Sequence, residues 1–156
     1  NIDVFESLAP HDISLVQFFM NDQSYLKISH EKSNYTFSPY NDFSSTHIEY
    51  KDNVYAKIDV SWYYPEKIRK LSIIGSKKTI VFDDVDKKIL IHNKEVNPNY
   101  KHINEGSELV TFNDELSPLT NEINNFIDYF EEPSRCITGY THTKNVIRVL
   151  EDYNKK

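Results

Sequence analysis

The chain is 156 residues long, 38% apolar, 27% charged and 13% aromatic, with a formal charge of −6. A chain of this length buries roughly two-thirds of the surface it exposes when unfolded, so one folded domain over 1–156 is expected, and the composition lies in the globular range and argues against disorder. The acidic balance, with no basic patch to offset it, excludes nucleic-acid binding by counterion release, and the single cysteine, Cys136, excludes an intramolecular disulfide or a cysteine-built zinc centre. No apolar run approaches a membrane span and nothing reads as a signal peptide, so no membrane partner and a cytoplasmic location are expected.

From Pro10 to Met20 the apolar residues Ile13, Val16, Phe19 and Met20 recur at helical spacing. Pro10 suits a first turn and Asp12 the positive end of the helix, which puts His11 at a loop-to-helix junction. Residues 24–33 read as extended and 34–45, rich in Asn, Ser and aromatics, as a loop. Thr46 to Tyr50 alternates, and Val54, Ala56, Ile58, Val60 and Trp62 then alternate with Tyr55, Lys57, Asp59 and Ser61 in the period of a half-buried strand. Asp52-Asn53 between them is turn chemistry and predicts an antiparallel hairpin.

After Pro65, strands are predicted over 69–74, 78–82 and 88–92, joined by Gly75-Ser76 and by Asp83 to Asp86. Connections this short make a meander, not parallel crossovers. Ser117-Pro118 is a cap with a first-turn proline, and Leu119, Ile123, Phe126, Ile127 and Phe130 mark the apolar stripe of the helix that follows. A loop punctuated by Pro133 and Gly139 leads to a last helix from about Thr143 to Tyr153, with Val146, Ile147, Leu150 and Tyr153 on one side. The fold class that results is α+β, a predominantly antiparallel open sheet with helices packed on one face.

Few residues carry chemistry on their own. Gly75, Gly106 and Gly139 are too scattered for a phosphate-cradling loop, so no cofactor-binding residues are expected in this chain. The histidines form no HxxxH or HxH pair and the Asp83, Asp84, Asp86 run lacks calcium-loop spacing, so no metal is expected. Trp62, Tyr63 and Tyr64 either stack on a ligand ring or pack at a strand end. Lys67 offers a point charge and Arg69 a bidentate fork to an anionic substrate group, or both stay solvated. Tyr140 and His142 precede the last helix. A lone His11 at a helix start more often caps or packs than reacts.

The segment LAPHDISL at 8–15, VSWYYPEKIRKLSIIGSKKTIVFDD at 60–84, LSPLTNEINNFIDYF at 116–130 and NVIRVLEDY at 145–153, in that order, resemble the C-terminal domain of the Gfo/Idh/MocA oxidoreductases. The resemblance implies a single C-terminal substrate and oligomerisation domain whose N-terminal Rossmann domain, holding NAD or NADP, lies outside these residues. It implies hydride transfer at a hydroxyl or carbonyl carbon of a sugar, nucleotide-sugar or cyclitol, and a homo-oligomer built through the sheet face. In that family a DxxxH histidine shares the proton chemistry, and its position here is His11; imidazole titrates near neutrality and so both accepts and returns a proton. The carboxylate of that pair falls at Ser7, which has no charge. Glu6 or Asp12 would be the nearest substitutes for that carboxylate, and the candidate substrate-binding residues are Ser7 and Asp12 beside the motif with Tyr64, Lys67 and Tyr140 from their side-chain chemistry and position. Two other readings stay open: a non-catalytic module that associates through its sheet, and a stand-alone sugar-binding or isomerase-like protein whose curved sheet cups a ligand.

Overall fold

The computed structural model describes residues 2–36, 39–96, 102–112 and 116–155. The chain divides into two compact units, Asn1–Tyr63 with Asn124–Lys156, and Tyr64–Ile123.

The first unit begins with α1 (Val4–Phe19), followed by β1 (Lys27–Ser33), β2 (Phe43–Glu49) and β3 (Tyr55–Ser61), which form a three-stranded antiparallel sheet in that order. Asp52 and Asn53, both at φ 59°, turn β2 into β3 in the left-handed pair that a tight hairpin requires, so the predicted hairpin is present. Its register sets Ser44 opposite Val60 and Ile48 opposite Ala56. The unit closes with a short 3-10 turn at Pro133–Arg135 and with α3 (Tyr140–Asn154). α1 and α3 pack on each other and on the sheet. Val4, Phe5, Ala9 and Ile13 of α1, Ile48, Ile58 and Val60 of the strands, and Val149 and Tyr153 of α3 share one core. Each large side chain there stabilises the fold by about 1.5–3 kcal/mol relative to exposure.

The second unit is a four-stranded antiparallel meander, β4 (Lys70–Ile74), β5 (Thr79–Asp83), β6 (Lys88–Val96) and β7 (His102–Val110). Leu71, Phe82, Ile89 and Val110 line up across its strands, as do Ile73, Ile80 and Ile91, whose row ends on Glu108, so one face is apolar but for that carboxylate. None of its described residues is buried. The helix α2 (Pro118–Glu131) leaves this unit and enters the first. The class is α+β with antiparallel sheets throughout, as the sequence implies, with the strands divided between two sheets.

Three expectations change. The first helix starts at Val4, six residues before Pro10, because Asp3 caps it and Val4, Phe5 and Ala9 are buried. Pro10 therefore lies inside the helix and His11 in its middle instead of at a loop junction. β2 begins at Phe43, within the stretch read as loop, and β7 was not foreseen.

Candidate functional site

α1 has two faces with different work. A capping box fixes its start: the Asp3 carboxylate accepts the Phe5 N–H at 3.0 Å, and Glu6 Oε2 accepts the Asp3 N–H at 3.2 Å. The inner stripe, Val4, Phe5, Ala9, Ile13 and Gln17, is buried. The outer face carries Ser7, His11 and Asp12, all exposed, among Leu8, Leu15, Phe18 and Phe19, which are 39–52% exposed. Ser7 and His11 are one turn apart and share a face. An apolar rim around a histidine is unusual on a helix surface, where polar residues are the rule.

Two polar clusters anchor this helix. At its N-terminal end the Tyr153 hydroxyl donates to Asp3 Oδ1 at 2.9 Å, Asn41 Nδ2 donates to Asp3 Oδ2 at 2.6 Å, and Asn154 Nδ2 donates to Glu6 Oε1 at 2.9 Å. Burial alone raises the Asp3 pKa, but the hydrogen bonds from Phe5, Asn41 and Tyr153 outweigh it and hold the carboxyl below its ordinary value. Burial, with the Asp3 charge beside it, pushes the Tyr153 phenol well up. Lys32 donates to the Tyr153 carbonyl at 2.7 Å and lies 3.6 Å over its ring; burial lowers its pKa against the opposing pull of Asp3 and Glu6. Glu6 is thus committed to structure and does not stand in for the carboxylate that Ser7 lacks.

Toward the other end, Ser14 Oγ lies 2.8 Å from His142 Nε2, and His142 Nδ1 lies 3.0 Å from Asp22 Oδ1, out of line for a full hydrogen bond. His142 is 4% exposed, in the first turn of α3, and not in an open loop as the sequence implied. A half-open cavity of about 290 Å³ beside it is lined by Phe18, Asp22 and Cys136 among others. Ser14 and Asp22 were missed because nothing local marks them: Ser14 and His142 are 128 residues apart in the chain.

The remaining candidates fall elsewhere. Tyr140 opens α3 and is 82% exposed. Tyr64 and Lys67 belong to the second unit, exposed in the segment before β4. Among the described residues, no three His, Cys, Asp or Glu side chains are placed to hold a metal ion. No helix among them is long and apolar enough to cross a membrane. Nor do the described residues fit a nicotinamide dinucleotide: every strand pair among them is antiparallel, so none of them forms a strand, glycine turn and helix around a pyrophosphate, and the N-terminus of α1 already holds the Asp3 carboxylate.

No protein-family model matches the sequence, and no curated protein matches it. Solved structures do share the fold. A UDP-N-acetylglucosamine 3-dehydrogenase from Acidithiobacillus ferrooxidans superposes with a TM-score of 0.80 at 14% identity, over 96% of this chain and 45% of that one. An NAD-binding protein from Listeria innocua does so at 0.68 and 19% identity, over 96% and 43%. An oxidoreductase from Bacillus cereus matches at 0.70 and 10% identity, over 96% and 56%. The chain therefore spans about half the length of these proteins, and its fold is that of one part of such oxidoreductases, as the motif resemblance implied.

Proposed function

We propose that this chain is the substrate-side half of a two-part oxidoreductase of the Gfo/Idh/MocA kind. It acts at a hydroxyl or carbonyl carbon of a sugar, nucleotide-sugar or cyclitol, and NAD or NADP is held by a nucleotide-binding half outside these residues. The observation that carries the reading is the coverage of the fold match, 96% of this chain against 45% of a nucleotide-sugar dehydrogenase. His11 takes or returns the proton of the reacting oxygen. Its support is its exposure on the outer face of α1 within an apolar rim that a second folded body would cover and dry. Ser7 supplies a hydroxyl one turn away, and Asp12, Tyr64, Lys67 and Tyr140 are the candidate substrate contacts.

The same half carries the subunit contact. An antiparallel sheet is stable in water when one face is covered, and the face formed by Leu71, Ile73, Phe82, Ile89, Ile91 and Val110 suits a second copy of itself. In sedimentation, Ile91→Lys should lower the assembled fraction; an unchanged profile, or a monomeric parent, removes this part of the proposal.

The decisive experiment is expression of the full reading frame. A strand–GxGxxG–helix unit upstream, with NAD- or NADP-linked turnover of a sugar or nucleotide-sugar that residues 1–156 alone do not show, is the expected result. Turnover by residues 1–156 alone, or a reading frame without that unit, overturns the proposal and leaves a sheet-mediated interaction module.

A further inference from the structure

α1 is held to its unit by apolar packing, which is non-directional, and by two polar anchors on either side of Pro10. Pro10 has no N–H to give the Glu6 carbonyl, so the helix lacks one rung directly before His11. The half before that gap is fixed by the Asp3 and Glu6 network. The half that carries His11 is fixed by polar contact at Ser14, three residues beyond it, and by a long Gln17 to Tyr50 hydrogen bond of 3.4 Å deeper in the core.

We propose that His142 is a positioning residue for His11, setting the roll of the post-proline half of α1 through Ser14, with Asp22 fixing the direction of the imidazole. This rests on the reading of His11 as the proton-handling group. The atom order supports it: the Asp22 carboxylate lies 3.0 Å from Nδ1, out of line for a full hydrogen bond but near enough for its charge to favour a proton there, and in that tautomer the Nε2 lone pair accepts the Ser14 hydroxyl at 2.8 Å. A buried imidazole is a costly way to fill space, since each nitrogen needs a partner; α1 supplies Ser14 to Nε2, and the turn at Asn21-Asp22 brings a carboxylate to Nδ1 without completing a hydrogen bond. The turn itself runs through two left-handed residues, Asn21 at φ 50° and Asp22 at φ 55°, which brings the carboxylate back beneath the end of the helix.

The test is the proton–carbon ring spectrum of His11 in the intact 156-residue chain at one pH, comparing His142→Leu with His142→Gln. Glutamine retains an acceptor where Nε2 stood and leucine does not. The expected result is that H142L displaces the His11 ring signals beyond their line width and H142Q restores them. Ser14→Ala gives the same displacement and serves if H142L does not fold. Val149→Ala, a core change of similar cost to stability, should leave the His11 signals in place. Wild-type His11 signals in folded H142L or in S14A overturn the inference. Displaced signals together with full turnover by His11→Ala in the two-part enzyme would leave the coupling intact and remove the catalytic role of His11 instead.

Discussion

Tyr153→Phe removes one hydroxyl at the point where α1 and α3 meet, and with it the bond to Asp3 and the side-chain hydrogen bond with Ser44. Phenylalanine keeps the stacking on Phe5, with ring centroids 4.1 Å apart, and keeps a ring under the Lys32 ammonium at 3.6 Å. What disappears is the 2.9 Å donation to the charged Asp3 Oδ1, which dominates the cost, and the neutral hydrogen bond with Ser44. A hydrogen bond to a charged group contributes about 1.5–3 kcal/mol, and Asp3 retains Asn41 and the Phe5 N–H, so the lower part of that range, about 1.5–2 kcal/mol, is the expected loss near neutral pH. For a chain of this size that corresponds to a fall in Tm of about 3–8 °C. Because the folded pKa of Asp3 is depressed, its contribution is complete above the ordinary value of 3.8 and is lost as pH falls through the lower folded value. The gap between wild type and Y153F in urea unfolding should therefore narrow toward pH 3 and below. A gap that stays constant across that range, or no gap at pH 7, would refute the assignment of the Tyr153 to Asp3 bond as a charge-assisted anchor.

Ile13→Ala removes a fully buried side chain from the inner stripe of α1 and should cost about 2–5 kcal/mol in chemical denaturation, against less than about 0.5 kcal/mol for exposed His11→Ala. In the two-part enzyme, H11A should lower kcat by about 10²–10⁴-fold at unchanged stability; a near-wild-type kcat refutes the proton-handling role. Burial raises the Tyr50 phenol from 10.0 to about 12 and pushes Tyr153 up further. Their stabilising effect is complete below pH 10 and is lost as pH rises through the folded values, so the unfolding midpoint should fall steeply above pH 10, and a flat midpoint from pH 9 to 11.5 contradicts it.

What the sequence disclosed was the part of the fold made by local periodicity. β3 alternates cleanly because Ile58 and Val60 face the core while Tyr55, Lys57 and Asp59 are exposed, and the Asp52-Asn53 turn is chemistry that favours left-handed backbone. The start of α1 was misjudged because Pro10 imitates a first-turn proline, although the true signal, Asp3 followed three residues on by Glu6, stands in the sequence. β7 escaped notice because Gly106, at φ 93°, breaks its alternation, and its partner β6 shifts register between His92 and Lys94. His11 was found by resemblance and lies on the outer face of α1. Ser14, His142 and Asp22 come together only in three dimensions, and no spacing rule reaches them.

The two units differ in what stabilises them, and that difference separates their roles. Every buried hydrophobic among the described residues lies in the first unit, whose core closes only when α1 and α3, from opposite ends of the chain, stack Phe5 on Tyr153. Relative to that core, Tyr64–Ile123 is a long insertion, and loop-closure entropy grows so slowly with length that the first unit bears it at little cost. Among its described residues the meander has no buried side chain, so a partner that covers its apolar face would add to its stability. Substitutions on that face should therefore alter association while leaving α1 and the His11 surface as they are, and substitutions at Ser14 or His142 should do the reverse.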